Sequence, residues 1–252
     1  PAITFVVVRI AAVKPQSAPT MAPVMPTAAR PMNLPAPALA APRLTRASRV
    51  GTVLALLLSS IVAVVAIASG SGLIALPFDM SLVDRRLPVV FRIHMLASAI
   101  VLGLLPVAIS LRFRPRLHRR IGWLLGAFVV AGGLTALPVA IFSYSWWPAR
   151  AGFFVQGVVW LWLFYTAVAA IRRGDRARHA HLMLAMTAVT TGAVWFRVLT
   201  GSAILFDLPF DPIYAASAWI AWLVPLVLVV RNAERLDSWA FRAPLASSRP
   251  IG

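Results

Sequence analysis

Six long apolar runs, separated by short polar segments, dominate the sequence from Gly51 onward; they cover 51–69, 89–111, 121–143, 152–171, 181–200 and 213–230. Each is 18–23 residues long, the length an α-helix needs, at about 1.5 Å per residue, to cross roughly 30 Å of hydrocarbon. The pattern predicts an all-α fold, a polytopic transmembrane helical bundle of about six spans over 49–231. A disordered Ala/Pro-rich N-terminal arm, 1–48, would precede it and a tail, 232–252, would follow. The arm has no sustained helical period, and its apolar stretch Ile3 to Val8 is too short to span. Pro106, Pro138 and Pro225 fall inside spans, where neighbouring helices can satisfy the freed carbonyls. The first run also has a signal-peptide reading, since Ala66-Ile67-Ala68 has the small-x-small form of a cleavage site; its length and the five spans after it favour an uncleaved helix.

Composition strengthens the membrane reading. Hydrophobic residues make up 60% of the chain and charged residues 12%, against about 45–50% and about 25% in soluble domains. The net charge of +17 does not describe a nucleic-acid-binding face, because the arginines are clustered between apolar runs. Assigning loops alternately to two sides places nineteen Lys and Arg on one side and four (Arg85, Arg86, Arg92, Arg150) on the other. By the positive-inside rule both termini would lie in the cytoplasm of a bacterial inner membrane, with the lipid bilayer as the chain's first partner. Small residues such as Ala131-Gly132-Gly133 allow close packing within the chain, against membrane-protein partners or in a homo-oligomer. The absence of cysteine excludes disulfides, thiolate metal sites and covalent haem attachment.

Ionisable residues inside spans carry the remaining information, because hydrocarbon makes them expensive. Arg92 and His94 lie near the outer end of the second span, and Arg197 near the outer end of the fifth, so the three share a depth. They would form an outward-opening polar pocket for a quinone headgroup, a small anion or a lipid head. The structural alternative is that both arginines snorkel to the interface and His94 hydrogen-bonds a neighbouring helix. His118, His179 and His181 lie at the opposite, inner side. A haem b between helices requires two imidazoles at one depth, which His118 with His179 or His181 provides and His94 does not. The alternative for these three is an interfacial role beside anionic lipid. No metal site is expected. There is no Gly-rich phosphate loop, His-Glu-x-x-His or Gly-x-Ser-x-Gly motif, so an enzymatic activity is left open.

The histidines also carry a resemblance. His94 lies early in one span, His118-Arg119-Arg120-Ile121-Gly122 opens the next, and His179-Ala180-His181-Leu182-Met183-Leu184-Ala185 opens a later one. In this the stretch from His94 to about Leu199 resembles the bacterial membrane-protein family called domain of unknown function 2306. Its motifs are an early His, a His-Arg-x-x-Gly and a His-x-x-Trp-Met-x-Arg, and Arg197 is similar to an arginine further along that helix. Leu182 and Ala185 stand where the family has Trp and Arg. The resemblance implies the membrane fold and points to these histidines without naming a reaction. Together the residues point to an inner-membrane protein with a histidine-lined site, either a haem-b or quinone-linked redox component or a non-redox small transporter or structural subunit.

Overall fold

The computed structural model describes residues 46–233. The arm and the tail therefore lie outside the described residues, apart from 46–48 and 232–233. Among the described residues seven helices follow one another: α1 (Arg46–Gly70), α2 (Phe78–Arg86), α3 (Pro88–Ser110), α4 (Pro115–Phe142), α5 (Trp147–Arg172), α6 (Arg176–Leu205) and α7 (Phe210–Arg231). All but α2 are long and apolar enough to cross a membrane, which makes six spans, and no strand occurs among the described residues.

Local sequence sets the helix ends. Proline occupies the first turns of α3, α4 and α5, where a missing N–H leaves no intrahelical partner unsatisfied. Gly174 takes φ of 81° after α5, a left-handed conformation that favours glycine, and Asp175 then caps α6 by accepting from the Arg178 backbone N–H at 2.9 Å. The long helices run past their apolar cores into the arginine clusters; α4 starts at Pro115 and α6 at Arg176. The short α2 was not foreseen from the sequence. It lies between α1 and α3 and buries Val83 against Phe91, Met95 and Val139.

The six spans alternate in direction. One end of the bundle collects Arg112, Arg114, Arg116, Arg119, Arg120, Arg172, Arg173, Arg176 and Arg178 (the arginine-rich end), and the other carries α2 and the loops after α4 and α6 (the arginine-poor end). The main core is built from α3 to α7, with Val101, Leu125, Val129, Leu163, Met186 and Trp222 almost fully buried. Helix α1 packs on α3 at the edge, burying Ala63 and Ala66 while Ile61 and Val64 stay exposed, the apolar surface a bilayer would cover.

Close helix crossings depend on particular glycines. A Cβ on Gly132 would come within 3.1 Å of Ser98 Oγ, bringing α4 tight against α3. A Cβ on Gly152 would meet the Ala218 carbonyl oxygen at 2.8 Å, and one on Gly192 would meet Trp222 Cβ at 2.8 Å. Bare backbone at these points lets α5, α6 and α7 converge around the space described next.

Candidate functional site

A cavity of about 260 Å³ lies between α3, α4, α5, α6 and α7 toward the arginine-poor end, with Asp79, Met80 and Val83 of α2 at its edge. His94 and Arg197, 103 positions apart in the sequence, both line it. Their depths agree: His94 is six residues into α3 and Arg197 is eight residues from the end of α6, roughly 9 Å and 12 Å along the two helices.

Each polar side chain is held by a backbone or side-chain partner. His94 Nδ1 lies 3.0 Å from the Gly132 carbonyl oxygen. The carbonyl accepts, so Nδ1 carries the proton and Nε2 keeps a lone pair. Glycine at position 132 brings that carbonyl within reach, which is the helix-to-helix hydrogen bond offered above as the structural reading of His94. Arg197 donates from one terminal nitrogen to the Ala193 carbonyl at 2.8 Å. It lies within electrostatic reach of both His94 and Tyr214. Tyr214 Oη accepts from Ser145 Oγ at 3.4 Å and keeps its own proton to donate.

Deeper in the cavity, Gln156 donates to the Val189 carbonyl at 3.2 Å, and Trp160 Nε1 donates to Thr190 Oγ1 at 2.9 Å. The apolar wall includes Phe91, Val139, Phe153 and Phe196. Phe153, Phe196 and Tyr214 meet edge-to-face, with centroids 5.0–6.0 Å apart. The space thus offers hydrogen-bond donors and an acceptor at mid-depth, aromatic walls, and one cation.

Arg92 does not join this group. It forms a two-pronged ion pair with Asp84 of α2, both bonds at 3.1 Å, and lies on the exposed surface. That pair ties α2 to α3 and is the single ion pair among the described residues. Tyr214, Gln156, Ser98 and the Trp160–Thr190 pair were missed from the sequence. Gln156 had a readable signal, being the one glutamine inside the spans.

The other three histidines lie apart from the cavity. His118, in the first turn of α4, bonds from Nδ1 to the Ala108 carbonyl of α3 at 2.9 Å. His179, in the first turn of α6, bonds from Nδ1 to the Ala167 carbonyl of α5 at 3.0 Å. Each therefore ties the two helices of one hairpin together. The Ala108 carbonyl is in the last turn of α3, where carbonyls lack a helical partner. His118 and His179 are within electrostatic reach of each other. His181 instead turns Nε2 to the Ala233 carbonyl at 3.3 Å. Among the described residues no group of three or more His, Cys, Asp or Glu gathers.

Six apolar helices, five of them around a cavity with polar groups at mid-depth, define a polytopic α-helical membrane protein. Residues 91–230, more than half of the chain, match the family model described as Predicted membrane protein (DUF2306), and the chain belongs to that family. The match begins at α3 and ends in α7, so it takes in the cavity-forming spans and leaves α1 and α2 outside it. Neither a curated protein nor a solved structure matches the chain.

Proposed function

We propose that the chain is a membrane-embedded binding protein for a small amphiphile, whose oxygen-bearing head sits among Arg197, Tyr214 and His94. The observation that carries this reading is the convergence of His94 and Arg197 on one aromatic-walled cavity. The His94 Nε2 lone pair accepts, while Arg197 and Tyr214 donate. A quinone headgroup uses both, as the quinone accepts and the quinol donates, which gives the redox form of the proposal. A small transporter that carries such a ligand is the non-redox form.

The test is titration of the purified protein with a short-chain benzoquinone, read by quenching of tryptophan fluorescence, to which Trp160 in the cavity wall contributes. Saturable quenching in the wild type that disappears in Ala193→Phe, which fills the cavity from α6, supports the quinone form. Absence of saturable quenching in folded wild-type protein contradicts the quinone form.

Haem b between His118 and His179 is a second reading, favoured by one observation. Both rings hold the proton on Nδ1, which leaves Nε2 as the ligating nitrogen. Haem bound there would supply one-electron transfer. The hairpin ties account for both rings without a ligand, so the cavity reading stands first. Protein purified from haem-replete cells should be colourless on the cavity reading; a Soret band that His118→Ala abolishes supports haem.

The arginine distribution also supports placing the arginine-rich end, and with it both termini, in the cytoplasm of an inner membrane. A C-terminal fluorescent-protein fusion that lights up, and a C-terminal alkaline phosphatase fusion that stays inactive, are the expected results.

A further inference from the structure

We infer that the ligand is anionic, a small monocarboxylate with an apolar body, and that Arg197 is its counter-ion; this rests on the cavity being a binding site. A guanidinium at this depth demands a compensating charge, because hydrocarbon and packed protein solvate it poorly. The chain supplies such a charge elsewhere: Arg92 has Asp84. Arg197 has no carboxylate partner among the described residues, and its one hydrogen bond goes to the Ala193 carbonyl of its own helix. Asp79 is the single acid among the described residues that line the cavity; it is exposed on α2 at the rim and forms no ion pair with Arg197.

The remaining guanidinium donors match the two oxygens of a carboxylate, and the free Tyr214 proton adds a further donor beside them. A neutral quinone would fill the same space but leave the charge uncompensated. A phosphate monoester would bring about two charges to one cation. Around Arg197 the walls are largely apolar, with Phe153, Phe196, Val139 and Trp160, and they hold the body of the ligand. The site thus sets one charge against largely apolar walls.

The probes are 1-naphthoate and its methyl ester, which share a shape and differ in charge. Binding to the full chain is read by energy transfer from tryptophan, with the signal from Ala193→Phe subtracted to remove partition into detergent. Naphthoate should bind at least about tenfold more tightly than the ester, as a charge-assisted pair does over a neutral one. Arg197→Met should erase that preference and Arg197→Lys should keep part of it. Equal affinity for acid and ester in the wild type overturns the inference and leaves the binding site standing. Binding of neither probe, in protein that is folded by thermal unfolding, removes the binding site and the inference together. A preference that survives Arg197→Met shows that another group holds the anion and overturns the assignment.

Discussion

At the arginine-rich end, His118 and His179 each reach back to a carbonyl of the helix before their own and tie a hairpin shut. At the arginine-poor end, His94 makes the same kind of bond, to the Gly132 carbonyl, but its ring also borders a cavity that holds Arg197, which has no carboxylate partner among the described residues. The same side chain and the same acceptor chemistry thus serve two ends that differ in what surrounds them. Where the ring is an interhelical tie, its loss should weaken the fold. Where a charge faces a cavity, its loss should weaken binding and leave the fold intact. On the proposed function, the difference would separate residues that hold the bundle from residues that bind a ligand.

Five substitutions break or sharpen that contrast. The largest effect is expected from Gly152→Val, because even a Cβ there would meet the Ala218 backbone oxygen at 2.8 Å and push α7 away from α5. A loss of about 3 kcal/mol in stability should appear as a lower unfolding temperature, and probe binding should fall with it, since Tyr214 travels with α7. Arg197→Met comes next: naphthoate affinity should drop about tenfold while the unfolding temperature holds or rises, because an uncompensated charge has been replaced by an apolar chain. A fall in unfolding temperature would show that Arg197 serves the fold instead.

His118→Ala should do the reverse. Removing one interhelical hydrogen bond costs about 1 kcal/mol and should lower the unfolding temperature with binding unchanged. His179→Ala should match it, since each ring ties one hairpin. The smallest effect is expected from Arg92→Gln. Its ion pair is exposed, so the unfolding temperature should stay within error of the wild type, and binding should not change.

Much of this contrast was legible in the sequence, for identifiable reasons. The six spans follow from apolar length alone, since runs of 18–23 residues with at most one arginine each have few other destinations. The shared depth of His94 and Arg197 follows from the alternation of the spans, which puts the start of the second and the end of the fifth on one side. Arg92 shares that depth but turns to Asp84, and a depth argument carries no information about which way around a helix a side chain points. Helix α2 was invisible because its nine residues include Asp79, Asp84, Arg85 and Arg86; such a helix is held by contacts to other helices and not by its own propensity. The roles of His118 and His179 were open for a related reason. Sequence places an imidazole at a depth, but only geometry shows which nitrogen is already engaged.

The most direct test of the cavity as the ligand site is to locate a carboxylate that carries a heavy atom. In a structure of the full chain with 4-iodobenzoate, anomalous or difference density for iodine is expected between Phe153, Phe196 and Trp160, with the carboxylate on Arg197 and Tyr214. Iodine density at the arginine-rich end beside His118 and His179, with the cavity free of it, would contradict the assignment of binding to one end and fold maintenance to the other.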